Sequence, residues 1–418
     1  MIVETQKATS SVGIICEFNP LHNGHVYLIS EARKLVGDDG CVVCVMSGRS
    51  TQRGELAITD PYTRANMALE GGADLVVELP YPWSSGSSES FARAGVRILT
   101  SMGVEHLLFG SECGDLNLLK RGAELINSMD FSTAYASLCR EGKGTAAAFS
   151  EALALVAHHN QLHLPEGFPD SNDLLGLAYL SALTKEKTNA ITPHTVKRLG
   201  QSYRDELLTD IDHPSATAIR GIIKEACMDA TALSAILDGT MPRKALDHLL
   251  ASIESGLAPV SMEPLWTLSH TWFRLKEDHP AQLTAELGGG LYAHIRKCAL
   301  TTVDAAHFMR AMETKQYTNA RLRRCLLFAV TGVLDEDIDA DPTYTQLLAV
   351  NQRGRRFLSS LRKTNGEGSI SVITKPARAP QGRQKELNEK IDALLTLCMP
   401  TPRDAGFFMR QGTVIKDP

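Results

Sequence analysis

A chain of 418 residues with 43% hydrophobic and 22% charged residues is about two to three times the usual single-domain size, and its composition is that of a globular, soluble protein. The formal net charge of −5 excludes nucleic-acid binding driven by global charge, so any such contact must be local. No apolar run reaches the roughly 18 residues that cross a bilayer, Met1 to Ser11 lacks a signal-peptide core, and the nine cysteines have no disulfide-scaffold spacing; no membrane association and a cytoplasmic location are expected.

The first apolar run, Val12–Glu17, reads as a strand, and Val26–Leu35 as an amphipathic helix. Glu17-Phe18-Asn19-Pro20 carries the chain out of the strand, Pro20 disfavouring helix at Asn19. Between strand and helix stands His22-Asn23-Gly24-His25. A strand that turns tightly into a helix aims backbone N–H groups and the positive end of the helix dipole at one spot, which suits a phosphate. The two histidines bring imidazoles to the same anion, and Gly24 removes a Cβ that would keep a flat base from the backbone. Such a turn suits attack at the α-phosphate of a nucleotide, where the catalyst positions reactants and neutralises growing charge. A bare H-x-G-H is more often a solvent-exposed loop; the strand before it and the helix after it select the functional reading.

Cys41–Met46, Leu75–Glu78 and His106–Phe109 continue as strands, with helices at Tyr62–Glu70 and Phe91–Met102. This alternation implies a parallel sheet with ligands beyond the strand C-termini. Cys41 and Cys44 have metal or redox spacing, but alternation on a buried strand points them apart, which favours core packing. The loop after the second strand offers Arg49 and Arg53 as anion contacts or as solvated loop charges. His158, His159 and His163 fall on helical text without a partnering carboxylate pair, so no protein residue is assigned as a metal ligand. A turn-rich stretch containing Asn172 and Asp173 precedes a helix at Leu174–Leu183, and the last strand-like stretch ends near Arg198. Ser215-Ala216-Thr217-Ala218-Ile219-Arg220 places hydroxyls at a helix start and an arginine one turn in, a pattern that grips phosphates or merely caps the helix. Beyond about residue 225 strand signals nearly vanish. Two domains are therefore expected, 1–225 and a mostly helical 226–418. Within the second, residues 351–390 hold many bases (Arg353, Arg355, Arg356, Arg362, Lys363, Lys375, Arg378, Arg383, Lys385, Lys390) and few acids. With Lys315, Tyr317, Arg321, Arg323 and Arg324 they form either an RNA-backbone stripe or a solvated helical face.

Gly13-Ile14-Ile15-Cys16-Glu17-Phe18-Asn19-Pro20-Leu21-His22-Asn23-Gly24-His25, with Met46-Ser47-Gly48, Gln52-Arg53-Gly54-Glu55, Gly72 through Pro80 and Phe109-Gly110-Ser111-Glu112, closely resembles the bacterial tRNA(Met) cytidine acetate ligase family. The likeness is dense from Val12 to Gly221 and thinner beyond. It implies an α/β fold, an N-terminal Rossmann-like parallel-sheet nucleotidyltransferase domain of the HIGH type followed by a mostly α-helical tRNA-binding domain. The implied activity is ATP-dependent activation of acetate to acetyl-adenylate, assisted by Mg2+, then acetylation of the wobble cytidine of elongator tRNA(Met). Catalysis would fall to His22 and His25. ATP would be bound by Ile15, Cys16, Glu17, Phe18, Asn19, Pro20, Leu21, His22, Asn23, Gly24, His25, Val26, Tyr27 and Leu28, with Gly110, Asn172 and Arg198. Ser215, Thr217 and Arg220 look like the serine–threonine–arginine phosphate motif of related nucleotidyltransferases, although Pro214 and Ala216 depart from it. Arg53 and Asp74 are candidates for the acyl or cytidine side. A small-molecule nucleotidyltransferase, which would not need a basic helical half, and a non-catalytic RNA-binding protein that retains the nucleotide fold are the competing readings.

Overall fold

A computed structural model describes residues 10–186, 191–198, 214–225, 230–276, 284–288, 290–361 and 370–416. Arg362 and Lys363 of the basic segment lie outside the described residues. The first half alternates as expected: β1 (Ser11–Cys16), α1 (Asn23–Val36), β2 (Cys41–Ser47), α2 (Pro61–Glu70), β3 (Leu75–Leu79), α3 (Ser88–Ser101) and β4 (His106–Ser111). A helical excursion follows, α4 (Leu116–Ile126), α5 (Met129–Arg140), α6 (Thr145–His159) and α7 (Ser171–Lys185), before β5 (Thr192–Lys197) rejoins the sheet. Strands β1 to β5 are mutually parallel, in the order β5-β4-β1-β2-β3.

The period-two alternation of β1 and β2 sorts their side chains onto two cores. Val12, Ile14, Cys16, Val42, Cys44 and Met46 face the layer that holds α1 and α2; Ile15, Cys41, Val43 and Val45 face the layer of α3 to α7. Cys41 and Cys44 are thus fully buried on opposite faces. His158, His159 and His163 are exposed at and beyond the end of α6.

The second half opens with α8 (Ala216–Glu225), α9 (Ala230–Ile236), α10 (Arg243–Glu254), α11 (Glu263–Leu275), α12 (Leu291–Thr301), α13 (Ala305–Met312), α14 (Asn319–Thr331) and the short α15 (Asp335–Asp339). Helices α11 to α14 close a separate core around Phe273, Leu291, Ile295, Phe308 and Met312. The chain then returns to the sheet, which the sequence reading did not anticipate. β6 (Tyr344–Val350) pairs antiparallel with β3, α16 (Gln352–Leu361) follows, β7 (Ser371–Ile373) pairs with β6, and after α17 (Arg383–Cys398) the two-residue β8 (Val414–Ile415) does so too. Among the described residues no helix is long and apolar enough to cross a membrane.

Candidate active site

β1 pairs with β2 along its whole length, from Ser11↔Cys41 to Cys16↔Met46, but with β4 only at Val12↔His106 and Gly13↔Leu107. Past Gly13 the two strands separate, while β4 stays with β5 as far as Ser111↔Lys197. The direction in which the sheet is built reverses between β1 and β4, so the gap between their C-terminal ends is a topological switch point, where α/β sheets receive ligands.

The histidine turn forms one wall. His22 is the N-cap of α1, its Nδ1 accepting from the Gly24 N–H at 3.1 Å, and His25 Nδ1 accepts from the His22 N–H at 3.3 Å. With both Nδ1 atoms used as acceptors, a neutral ring must carry its proton on Nε2, so each imidazole presents an N–H donor away from the backbone. The rings lie 3.8 Å apart, tilted by 35°, with Phe18 4.9 Å from His25. Burial, then Arg198 and Arg220, draws His22 down to about 3; burial, then His22 and Arg198, draws His25 well below the usual histidine range. Both are neutral at pH 7, so each has a dipolar N–H rather than a full positive charge to offer an anion.

Two features differ from the sequence reading. The first N–H groups of α1 are not free: Asn23 N–H donates to the Thr240 carbonyl at 2.9 Å, Gly24 N–H to His22 Nδ1, and His25 N–H and Val26 N–H to the His22 carbonyl. The space a Cβ at Gly24 would fill is taken by the His22 ring, whose Cε1 would be 2.9 Å away. Glycine is required there so that the capping imidazole can fold back, and the donors left to offer at this turn are those of the side chains.

Facing charge comes from β5 and α8. The Arg198 N–H donates to the Ser111 carbonyl at 2.9 Å, and its side chain lies against Gly110, where a Cβ would be 3.2 Å from Arg198 Cγ. Arg220 donates to the Asn19 carbonyl at 2.8 Å and to Thr217 Oγ1 at 3.2 Å, joining the start of α8 to the loop after β1. Neither guanidinium has a carboxylate within ion-pair distance among the described residues. Ser215 Oγ accepts from the Ala218 N–H at 3.0 Å, which is helix capping. Asn172 opens α7 beside β4: its Nδ2 and N–H donate to the Glu112 carboxylate at 2.6 and 3.0 Å, while Asp173 is buried, accepting from the Cys113 N–H at 3.1 Å.

Other residues of the turn serve the fold. Ile15, Cys16 and Leu21 are core side chains and can offer a ligand only backbone. Asn19 Oδ1 accepts from the Ile58 N–H at 2.7 Å, the Asn19–Pro20 bond is cis, and the Asn23 amide donates to the Gly239 carbonyl at 2.6 Å. Val26 and Leu28 are half-buried against the α1 core, and Tyr27 is half-buried beside them. Arg49 is not an anion contact: it is 2% exposed, pairing with Glu78 at 2.5 Å and with Asp392 of α17. Asp74 is not near the site. It precedes β3, at the opposite end of the sheet, where it accepts from the Val42 N–H at 2.9 Å and from Asn351 Nδ2 at 2.8 Å and pairs with Arg33. Arg353 reaches the same carboxylate at 3.7 Å, so the start of the 351–390 basic segment sits far from the histidines.

Sequence reasoning missed Arg64. Wholly buried on α2, it donates to the Glu17 carbonyl at 2.7 Å, the Ser47 carbonyl at 2.9 Å and the Gly48 carbonyl, fastening the ends of β1 and β2 together. Burial brings it down to about 10, so it stays charged. The signal was an arginine on the apolar stripe of Pro61, Ala65 and Ala68. Glu17 was named for ATP, yet its Oε1 accepts from the Gln52 N–H at 2.8 Å, holding the loop after β2, and burial raises its carboxyl above the usual range.

Fold and site together define a nucleotidyltransferase-type α/β protein whose histidine pair sits at the sheet's switch point. A family model described as HIGH nucleotidyl transferase matches residues 9–405. The tRNA(Met) cytidine acetate ligase of Acetivibrio thermocellus is 33% identical, over 97% of this chain and 99% of its own; that of Syntrophotalea carbinolica is 35% identical, over 84% and 82%. The apo crystal structure (form I) of Thermotoga maritima TmcAL superposes with a TM-score of 0.88 at 27% identity, over 98% of this chain and 100% of that one. The form of the same protein bound with alpha-thio ATP gives 0.84 at 26%, with the same coverage. The chain belongs to the HIGH nucleotidyl transferase family and, within it, to the tRNA(Met) cytidine acetate ligases.

Proposed function

We propose that the protein uses ATP to convert acetate to acetyl-adenylate and then acetylates the exocyclic amine of the wobble cytidine of elongator tRNA(Met), releasing AMP and pyrophosphate, in the cytoplasm. ATP would lie in the crevice between β1 and β4. An acetate oxygen attacks the α-phosphorus in line, and the bond to the β-phosphate oxygen breaks as pyrophosphate leaves. The cytidine amine then attacks the acetyl carbonyl, the carbonyl–phosphate bond breaks, AMP departs, and the amine proton is lost to solvent.

The observation that carries this reading is the pair of neutral imidazoles stacked 3.8 Å apart at the mouth of α1, with Arg198 and Arg220 in electrostatic reach. Fixed Nε2–H donors and two guanidiniums that have no carboxylate within ion-pair distance among the described residues suit charge that grows on non-bridging phosphate oxygens. Ser215, Thr217 and Arg220 are assigned to the outer phosphates, Gly110 to the wall beside the nucleotide, and Asn172 to a polar contact with it through the Glu112-held turn. Among the described residues no group of three or more His, Cys, Asp or Glu side chains is placed to hold a metal ion. Magnesium is assigned to the bound nucleotide rather than to side chains, where it would supply charge neutralisation. Residues 1–225 are assigned to nucleotide chemistry and the helices of 226–418 to tRNA.

The test uses purified protein with labelled ATP, acetate and tRNA transcripts. AMP and acetylated RNA, each requiring acetate and elongator tRNA(Met), are expected. Pyrophosphate release with AMP retained in a small product would make the protein a nucleotidyltransferase instead, and no turnover in any combination would leave a binding module.

A further inference from the structure

Positive charge around the crevice continues beyond the groups assigned to ATP. Lys224 follows Arg220 by four residues on α8, hence on the same helix face and about 6 Å further along the axis. It is exposed and lies in electrostatic reach of Arg220, Arg323 and Glu55; partial burial, then the two guanidiniums, draws its ammonium below the usual lysine range against the pull of Glu55. Arg323, on α14, pairs with Glu55 of the loop after β2. Gly54 of that loop sits directly on α14, where any Cβ would collide with the backbone of Arg323 and Arg324, and its φ of 73° is one that glycine adopts without strain. Arg53 of the same loop lies in reach of Glu17, as does Arg220.

Three elements remote in sequence, α8, α14 and the loop after β2, therefore deliver cations to one lip of the crevice. Within mutual reach there, Arg53, Arg220, Lys224 and Arg323 meet the two carboxylates Glu17 and Glu55, so among these groups cations outnumber anions and a further anion offsets their repulsion. The nucleotide accounts for Arg198 and Arg220, but Lys224 stands in the last turn of α8, with Arg323 in its electrostatic reach. Four of the ten bases of 351–390 are engaged elsewhere. Arg353 meets Asp74, Arg383 pairs with Asp337 at 2.8 Å, Lys385 lies 3.9 Å from Glu389, and Lys390 donates to the Thr331 carbonyl at 3.0 Å.

We infer that the lip formed by Lys224, Arg323 and Arg53 grips the phosphodiester backbone of the RNA substrate beside the reacting nucleotide. The inference rests on the proposed ligase chemistry and names the surface that brings the cytidine to it, with Arg53 and Lys224 of the nucleotide half sharing the RNA contact with Arg323 of the helical half. Glu55 holds Arg323 until the RNA phosphate competes for it.

The experiment compares full-length wild type with Lys224→Ala, Lys224→Glu, Arg323→Ala and Arg355→Ala. Two quantities are read: binding of a tRNA(Met) transcript across a salt series, and acetate-dependent exchange of labelled pyrophosphate into ATP without RNA. Lys224→Ala and Arg323→Ala are expected to weaken RNA binding by roughly 3- to 10-fold and to reduce the salt slope by about 1, with a larger loss for Lys224→Glu and a smaller change in exchange than in RNA affinity. Lys224 is exposed, so its variants test the lip even if Arg323→Ala disturbs the loop. Unchanged RNA affinity and slope in the Lys224 variants would overturn the inference. So would exchange falling in step with RNA binding, which would assign these cations to the triphosphate, or a greater loss from Arg355→Ala. Wild-type RNA binding without exchange would sink the activation chemistry rather than the lip.

Discussion

His22 does two jobs that a substitution can separate. Its Nδ1 caps α1, and its Nε2–H is assigned to phosphate. Asparagine is among the best N-caps and offers an acceptor at a similar distance from the backbone, but it lacks a donor where Nε2 stands. His22→Asn is expected to retain thermal stability to within about 1 kcal/mol while turnover falls by roughly 100-fold or more; a melting curve and a steady-state assay measure the two. The same residue gives the fold a pH dependence. In the unfolded chain it protonates near 6.5, whereas in the folded protein it stays neutral down to about 3. Between those values the unfolded state binds more protons, so stability falls as pH drops from about 6.5 and gains nothing from this group above it. His25 acts in the same direction. The melting temperature of wild type is expected to drop more steeply from pH 7 to pH 5 than that of His22→Asn, and equal slopes would show that this imidazole is not held neutral.

At the scale of elements, the loop after β2 is fastened from both sides, by Glu17 at Gln52 and by α14 beneath Gly54. Gly54→Ala must relieve both a left-handed backbone and a collision with helix backbone, so a loss of about 1–3 kcal/mol is expected in chemical denaturation. The motif Gln52-Arg53-Gly54-Glu55 was visible in the sequence, but the helix it sits on was not, because α14 lies more than two hundred residues away. Elements whose signal is local were legible: β1, β2, α1, α2 and α3 stand close to where apolar periodicity put them, and the histidine motif stands where strand gives way to helix, although α1 begins inside it, at Asn23, rather than at Val26. β6 was not. Its Thr345 and Gln346 interrupt the apolar pattern yet are buried, Thr345 Oγ1 donating to the Glu78 carbonyl at 2.6 Å and Gln346 Nε2 to Tyr62 Oη at 2.6 Å. A polar side chain whose partner belongs to another strand or helix looks exposed in one dimension. Arg49 misled for the same reason: an arginine in a glycine-rich loop suits an anion until Glu78 and Asp392 are seen to enclose it.

That enclosure ties the whole molecule together. Arg49 leaves β2, Glu78 belongs to β3 and Asp392 to α17, so one buried guanidinium joins the parallel sheet to the end of the chain. β6 covers the open edge of β3, Trp83 Nε1 donates to the Ala340 carbonyl at 2.9 Å, and Tyr81 Oη bonds Thr331 Oγ1 at 2.5 Å. Functional labour can divide near residue 225, but burial does not, because the core beneath α1 and α2 also contains Leu249, Leu327, Leu348 and Leu395. A fragment of residues 1–225 would expose that apolar surface and leave Arg49 with Glu78 alone; it is expected to lack a cooperative melting transition and dispersed amide signals, even though it carries the complete histidine turn. Asp392→Ala probes the same dependence within the intact chain. Removing the Asp392 carboxylate leaves Arg49 and Glu78 as a balanced pair but strips the guanidinium of the buried acceptor for its Nε and Nη2 donors, at a cost of about 1–3 kcal/mol. Because Arg49 departs from the loop that Glu17 and α14 hold in place, the loss is expected to lower the unfolding midpoint and to raise the apparent KM for tRNA together. A variant that loses stability while RNA affinity stays intact would show that α17 supports the sheet without setting the loop after β2.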